Sequence, residues 1–258
     1  MKRVLTALVL IPLVLYVVLW GPAWLVFGVT ALVAILCYYE YAGIASAFGL
    51  GNPGALGHVA GIAVLLARPQ DLSLVWAGLV VAALVLGMRE NPLSRSLPRA
   101  ALIVAGVTYI FGCWKFALLL YAVNPYWLLY GLALCWIGDI GAYYVGRKFG
   151  KHKLAPRVSP GKSWEGAAAS VAVSILFGCF YLARLVPAVP VAAAIGVSAL
   201  ANAAGQLGDL AESAIKRGAG VKDSGALLPG HGGFLDRVDS TLFALPVVYL
   251  CTRLLWGS

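Results

Sequence analysis

Charged side chains are scarce in this chain: Asp, Glu, Lys and Arg make up only 11% of its 258 residues, whereas 62% are hydrophobic. The mean hydropathy is +0.90. A soluble domain carries far more polar surface than this composition can supply. The shortage of charge therefore excludes a soluble enzyme and predicts an all-α fold, that of a polytopic integral membrane protein.

Cysteine patterns and repeats are also lacking. The five Cys lie singly in apolar runs, without a CxxC or Cys/His spacing, which favours small core residues over disulfides or metal ligands. No internal repeat, low-complexity segment or separate soluble domain is visible. The net charge of +9 is explained by basic cytoplasmic loops, so no nucleic-acid partner is predicted.

Nine apolar runs are candidates to cross the membrane, whose hydrocarbon core is about 30 Å thick. The third is short and contains glycine, so whether it spans is left open. The first leads into Gly21-Pro22 without a small-x-small cleavage site, which favours a retained helix over a signal peptide. The runs are 4–20, 22–39, 54–67, 72–87, 100–121, 126–146, 166–186, 188–210 and 238–256.

The distribution of Lys and Arg predicts the orientation. With nine spans and the N-terminus inside, 15 basic residues face the cytoplasm and 3 face outside. Without a span at 54–67 the count is 13 against 5. Both versions place the C-terminus outside and the polar loops of the second half in the cytoplasm. We therefore expect a protein of a bacterial-type inner or plasma membrane with its active site on the cytoplasmic face.

Acidic residues are concentrated in the second half of the chain. Residues 1–120 hold three of the ten, in no recognisable pattern, and are predicted to be scaffold helices packed through Gly and Ala. Residues 121–258 hold the other seven at cytoplasmic span ends or in the joining loops, so this part is predicted to carry the active site. The seven are Asp139, Glu165, Asp209, Glu212, Asp223, Asp236 and Asp239.

The segment 213–239 (SAIKRGAGVKDSGALLPGHGGFLDRVD) has the densest charge in the chain. Lys and Arg can bind phosphate oxygens, carboxylates can bind Mg²⁺, and Gly allows a close approach of the backbone. The turn His231-Gly232-Gly233 is predicted to offer backbone N–H groups to a phosphate. His231 itself could be a base, a ligand or a donor that stabilises the turn.

A polar stripe leads into this segment along the preceding helix. Ser198, Asn202, Gln206, Asp209 and Ser213 recur at steps of three or four residues, which places them on one helical face. For Ser198 and Asn202, hydrogen bonding between helices is an equal alternative to a functional role. Gln206 and Asp209 are predicted to be functional, because the stripe runs directly into the charged segment.

Two aspartates lie three residues apart at the predicted start of the last helix, where they would share one face. A single Asp could serve as an N-cap, but Asp236 and Asp239 together with Asp209 suggest a metal site. We predict that these three hold Mg²⁺, with Asp223 in reserve and a second cation left open. Asp139, flanked by glycines, is predicted to orient a cation or assist at the metal; a structural ion pair is the alternative.

The segment SPGKS (159–163) suggests a phosphate-binding Walker loop, but residue 156 is Pro where that motif needs Gly. No strand is expected before it either, so a Walker loop is rejected. The simple interpretation is a Pro-Gly turn in which Ser163 caps the next helix.

The charged segment resembles the signature of the phosphatidate cytidylyltransferases, also called CDP-diacylglycerol synthases. The resemblance extends upstream through GDIGAYYVGRKFGKHKL and SPGKSWEG, covers about residues 138–240, and is only generic before that. The matching motif residues are Ser213, Lys216, Arg217, Lys222, Asp223, His231, Gly232, Gly233, Asp236, Arg237 and Asp239.

This resemblance implies a reaction of CTP with phosphatidic acid, a divalent metal at the aspartates and a homodimer. It implies a phosphate contact for Lys162 and an orienting role for Glu165. The residues expected to be catalytic are Lys216, Arg217, Lys222, Asp223, His231 and Arg237. Those expected to bind substrate are Lys162, Glu165, Ser213, Gly232, Gly233 and Asp139.

Two other functions remain as alternatives. A CTP-dependent polyprenol or phytol kinase would transfer the γ-phosphoryl group to an alcohol and would need a base, but the complete motif argues against it. A transporter would carry its ionisable groups near the membrane midplane, often in paired repeats, whereas here they lie at one face.

Overall fold

The computed structural model describes the backbone of residues 2–227 and 232–256 and the side chains of residues 11–227 and 232–255. This part of the chain is almost entirely helical, which confirms the predicted fold class. Its α-helices are α1 (Lys2–Trp20), α2 (Ala23–Ser46), α3 (Gly54–Leu66), α4 (Leu72–Gly87), α5 (Ser96–Val107), α6 (Cys113–Val123), α7 (Pro125–Phe149), α8 (Trp164–Leu185), α9 (Val191–Gly218) and α10 (Asp239–Trp256).

Six helical stretches within the described residues are long and apolar enough to cross a membrane, and the chain is an integral membrane protein. The predicted count of nine spans is not confirmed. The predicted span 54–67 corresponds to α3, which has only 13 residues, or about 20 Å at 1.5 Å per residue. The six stretches are Ala23–Ser46, Pro69–Gly87, Leu93–Val123, Pro125–Phe149, Trp164–Leu185 and Val191–Gly218.

The chain divides into two compact units. The first is built mainly from Ala23–Lys115 and Ile215–Arg237, and the second mainly from Val4–Pro22, Phe116–Ala214 and the segment that begins at Val238. Most of the charged segment packs within the first unit. The predicted functional division at residue 120, into scaffold helices and a part that carries the active site, stays a prediction.

Glycines allow side chains of neighbouring helices to approach closely in each unit. In the first, a Cβ atom at Gly61 would lie 2.1 Å from the Phe111 ring. In the second, a Cβ atom at Gly141 of α7 would lie 2.9 Å from Val173 of α8. Close packing of this kind stabilises the association of helices in a membrane, where no hydrophobic driving force acts between them.

A short β-hairpin joins α7 to α8. Strand β1 (Lys153–Ala155) pairs antiparallel with β2 (Ser159–Ser163), with Lys153 opposite Ser163. The expectation that no strand precedes SPGKS is therefore wrong. The expected Pro-Gly turn is wrong too, because Pro160 and Gly161 lie within β2, between the paired residues Ser159 and Ser163. The cap is confirmed: Ser163 Oγ accepts a hydrogen bond from Gly166 N at 3.2 Å.

Candidate active site

A cavity of about 440 Å³ lies among α7, α8, α9 and the hairpin, all within the second unit. Its polar lining includes Asp139 and Arg147 from α7, Lys162 from β2, and Gln206 and Asp209 from α9. The structure thus brings together three residues that the sequence placed in the site from separate motifs: Asp139, Lys162 and Asp209. The cavity can offer both carboxylate oxygens and cations to a ligand.

Lys162 and Asp209 form an ion pair at this cavity, with 2.6 Å between Nζ and Oδ2. Ser213 Oγ donates a hydrogen bond to the other oxygen of Asp209 at 3.3 Å. The two charged side chains remain 27% and 29% exposed. Pairs with this much exposure contribute only about 0–1 kcal/mol, so a phosphate or a metal ion can displace either partner at low cost.

The polar stripe of α9 holds the neighbouring helices in place. Asn202 Nδ2 donates to Ser170 Oγ at 3.0 Å and to Ser174 Oγ at 2.8 Å, both on α8. Gln206 Nε2 donates to Asn202 Oδ1 at 2.7 Å while Gln206 also lines the cavity. Ser198 Oγ lies 2.8 Å from the Tyr130 hydroxyl. Ser198 and Asn202 therefore bond between helices, and Gln206 links that network to the cavity.

Glu165 holds the start of the hairpin. Its carboxylate accepts hydrogen bonds from Lys151 N at 3.2 Å and from His152 N at 3.3 Å, and lies 2.6 Å from His152 Nδ1. Because Glu165 is in the first turn of α8, its charge also favours the helix N-terminus. These contacts position the hairpin that carries Lys162.

Arg147 lines the cavity as an exposed side chain held by an aromatic neighbour. Its Nη1 donates to the Tyr143 hydroxyl at 2.8 Å, and its guanidinium lies 5.9 Å from the centre of that ring. Arg147 is not among the residues that the sequence analysis assigned to the site. The structure adds it to the cations that face the cavity.

The charged segment includes the last residues of α9 and continues past the end of that helix at Gly218, where it lies in the first unit. Gly220 adopts a φ of 74°, a left-handed conformation that favours glycine. Val221 N donates to Lys216 O at 3.0 Å, and Arg217 Nη1 donates to Val221 O at 3.1 Å. The turn closes the helix and leads into an exposed loop that carries Lys222 and Asp223.

Asp236 is the centre of this loop. It forms an ion pair with Lys216, and its Oδ2 accepts hydrogen bonds from Ser224 N at 3.0 Å and Gly233 N at 2.9 Å. Burial acts to raise the pKa of Asp236, but these donors outweigh it and hold the pKa below its ordinary value. The Gly233 N–H, predicted to face a phosphate, thus already binds a carboxylate of the protein.

The two motif aspartates do not lie on one helix. Asp236 belongs to a 3₁₀ turn at Leu235–Arg237, and α10 begins only at Asp239. The donors bound to Asp236 keep it in the loop, which corrects the predicted shared helical face. Asp239 Oδ1 accepts a hydrogen bond from Ser240 N at 2.6 Å.

The other predicted residues of the segment are placed as follows. Arg237 is exposed, and Gly232 adopts a φ of 79°. His231 lies outside the described residues.

Glu40 and Ser224 were missed from the sequence. Ser224 Oγ donates to Glu40 Oε2 at 3.0 Å, and Leu235 N donates to the same oxygen at 2.8 Å. Glu40 was assigned to the scaffold because it matches no motif. The signal that could have identified it is an ionisable residue inside an apolar helix, which is a candidate for function by default.

The metal remains a prediction. Among residues 2–227 and 232–256, no group of three or more His, Cys, Asp or Glu side chains is gathered in a way that could hold a metal ion. Asp209 and Asp236 are each paired with a lysine, and Asp239 binds its own helix N-terminus.

Comparison with known proteins identifies the family. The model of the Cytidylyltransferase family matches residues 1–255. The chain belongs to this family. It is 34% identical to the phosphatidate cytidylyltransferase of Pseudomonas aeruginosa over 284 aligned positions, which cover 100% of this chain and 97% of that relative.

Two other relatives with the same name match over shorter stretches. The Haemophilus influenzae protein is 43% identical over 148 residues, covering 54% of this chain and 51% of the relative. The Bacillus subtilis protein is 40% identical over 156 residues, covering 59% and 58%. The chain thus matches only about half the length of these two relatives. The family predicted from the charged segment is confirmed.

Proposed function

We propose that this chain transfers the cytidylyl group of CTP to phosphatidic acid and releases CDP-diacylglycerol and pyrophosphate. The observation that carries the proposal is the cavity of α7, α8 and α9, where Lys162 and Asp209 form an exchangeable ion pair beside Asp139. The names of the family relatives support the same reaction.

The reaction needs charge neutralisation more than it needs a base. A phosphate monoester has a second pKa of about 6, so a lipid phosphate is largely dianionic at neutral pH. One of its oxygens forms a bond to the α-phosphorus of CTP while the bond from that phosphorus to the bridging β-phosphate oxygen breaks. Pyrophosphate leaves with that electron pair, and no proton has to be removed from the nucleophile.

The residues of this chain bring two polyanions together. Lys162 can exchange Asp209 for a phosphate oxygen, because their ion pair is partly exposed. Arg147 faces the same cavity. The exposed Arg217, Lys222 and Arg237 belong to the first unit and stay catalytic residues predicted from the sequence. Catalysis then rests on positioning and on electrostatic stabilisation of the transferring group.

Mg²⁺ fits the donor chemistry of the cavity. Asp139 and Asp209 line it together, and hard carboxylate oxygens are the ligands that Mg²⁺ prefers. We propose Asp139 and Asp209 as ligands in this cavity, where Mg²⁺ would offset the negative charge of the phosphates. Asp236 and Asp239, which do not line it, stay ligands predicted from the sequence.

The location and partners of the enzyme complete the proposal. CTP would arrive from the cytoplasm and phosphatidic acid from the bilayer, with the active site at the cytoplasmic face and the C-terminus outside. A homodimer is proposed from the family resemblance, and molar mass in detergent by light scattering tests it. No nucleic-acid partner is proposed.

Labelled CTP distinguishes the proposed reaction from the two alternatives. Purified protein is given Mg²⁺ and phosphatidic acid with CTP labelled at the α-phosphate or at the γ-phosphate; a parallel reaction contains a polyprenol. We expect α-label in the lipid phase with phosphatidic acid only. Transfer of γ-label to the polyprenol would identify a kinase, and no lipid-soluble label under any condition would contradict both enzymatic functions.

A further inference from the structure

Glu40 is a buried acid on α2, in the part of the chain that carries few charges. It is 3% exposed, and it belongs to the same compact unit as Ile215–Arg237. An ionised carboxylate in such a place is costly unless donors surround it. Its partners therefore indicate why the position holds an acid.

The partners come from two stretches of the charged segment, defined here as the early limb (221–227) and the late limb (232–237). Ser224 of the early limb donates its hydroxyl to Glu40 Oε2, and Leu235 of the late limb donates its backbone N–H to the same oxygen. One carboxylate oxygen thus joins both limbs to a membrane helix.

The two limbs are also joined to each other at this point. Ser224 N donates to Asp236 Oδ2 at 3.0 Å, and Asp236 N donates to Ser224 Oγ at 3.3 Å. Ser224 follows Lys222 and Asp223 directly, and Leu235 precedes Asp236. A displacement of either Glu40 partner would therefore move residues assigned to the chemistry.

Glycines allow the backbone to close around the carboxylate. A Cβ atom at Gly233 would lie 1.9 Å from Ser224 Oγ and 2.6 Å from Glu40 Oε2. A Cβ atom at Gly225 would lie 2.5 Å from Glu40 Oε1. Gly233 thus has a steric reason to be in the motif that is separate from phosphate binding.

We propose that Glu40 is a positioning residue that fixes the early and late limbs relative to each other and so positions Lys222 and Asp236. The proposal rests on the proposed cytidylyl transfer for its kinetic consequence. Its structural consequence, an ordered pair of limbs, does not depend on that reaction.

Because one oxygen of Glu40 accepts both hydrogen bonds, a substitution can either keep or remove that acceptor. The carbonyl oxygen of Gln can accept both hydrogen bonds, so Glu40→Gln should keep the limbs in place, whereas Glu40→Ala removes the acceptor. Glu90→Ala is the matched control, because Glu90 is another acid of this unit and pairs with Arg99 instead of the limbs.

Two measurements are made on full-length protein in detergent. Amide hydrogen exchange over residues 221–237 should quicken about tenfold in Glu40→Ala and stay near wild type in Glu40→Gln and Glu90→Ala. In Glu40→Ala, the KM for CTP should rise and kcat should fall, so that kcat/KM is lowered about tenfold or more. In Glu40→Gln, kcat/KM should stay within about threefold of wild type.

Each outcome decides the proposal. Unchanged exchange and kinetics in Glu40→Ala would overturn it. Equal defects in Glu40→Gln and Glu40→Ala would overturn it too, since the negative charge itself would then be required. If the Glu40→Ala protein does not insert into the membrane, Ser224→Ala replaces it in both measurements. This variant removes the hydroxyl that joins Glu40 to Asp236. A wild-type protein that forms no lipid-linked cytidine would contradict the proposed function, while hydrogen exchange would still decide the role of Glu40.

Discussion

Lys162 on the hairpin and Asp209 on α9 meet at 2.6 Å in a cavity that also contains Asp139. They are 47 positions apart in the sequence and belong to separate motifs. In the proposed reaction, Lys162 would exchange Asp209 for a phosphate oxygen, and Asp209 would exchange Lys162 for a cation.

Substitution of Lys162 should impair nucleotide binding without unfolding the protein. A charged hydrogen bond to a phosphate contributes about 1.5–3 kcal/mol, so Lys162→Met should raise the KM for CTP or lower kcat by roughly tenfold to hundredfold. Lys153→Met is the control, since Lys153 is exposed on the paired strand and does not line the cavity. Steady-state kinetics at several CTP concentrations check this, and equal activity of both variants would remove Lys162 from the site.

Variants of the Lys216–Asp236 pair distinguish a structural role of Asp236 from a metal-binding role. The two side chains are only 9% and 11% exposed, so Asp236→Asn alone should destabilise the protein by about 3–5 kcal/mol, because it removes one partner of a buried ion pair. The double variant Lys216→Met/Asp236→Asn should recover part of that stability. Thermal unfolding in detergent measures the recovery.

Activity of the same double variant tests the proposed metal ligand. Lys216→Met alone is the reference, because Lys216 is itself an expected catalytic residue. If Asp236 binds Mg²⁺, the double variant should turn over more slowly than this reference at every Mg²⁺ concentration although stability returns. Turnover equal to the reference would show that Asp236 serves only to pair with Lys216. Asp239→Asn should likewise lose most activity while remaining inserted.

The pH dependence of the Lys216–Asp236 pair follows from the direction of the pKa shift. Because the pKa of Asp236 is lowered in the folded protein, its contribution to stability is complete above the ordinary aspartate pKa of about 3.9. The contribution is lost as pH falls through the lowered value. The contribution of this pair to stability should therefore not vary with pH near neutrality, and unfolding curves for wild type and the double variant should converge only in acid.

His231 and Lys222 should differ in their effect on rate. If the lipid phosphate needs no base, His231→Gln should retain more activity than Lys222→Met, and alkali should not restore the lost rate. Lys222 instead offsets charge that accumulates as the two phosphates meet, a contribution of several kcal/mol in a poorly solvated site. Turnover across about pH 6 to 9 measures this. A His231 variant that is inactive at neutral pH and rescued by alkali would favour the kinase chemistry.

Membrane orientation is tested with a reporter fused after Ser258. Both span counts derived from the Lys and Arg distribution place that end outside. We expect the reporter to be accessible from the outer side of intact cells and to remain protected in inside-out vesicles. Accessibility only from the cytoplasm would contradict the predicted orientation and with it the cytoplasmic active site.

The sequence by itself determined the class of the protein, because composition and local spacing act through short-range physics. The scarcity of charge requires a lipid environment, periodic polar residues place the stripe on one face of α9, and the motif identified the family. The cap at Ser163 was predictable for the same reason, since it depends on a contact three residues away.

The tertiary structure decided which distant residues meet. The pairing of Lys162 with Asp209, the hairpin before α8, and the attachment of the charged segment to Glu40 all depend on packing between elements far apart in the chain. Glu40 has no motif around it and no periodic neighbour of its kind. Its role became visible only when the fold placed Ser224 and Leu235 against one buried oxygen. The role of a buried carboxylate depends on the groups that donate hydrogen bonds to it, and these donors are nearly two hundred residues away in the sequence.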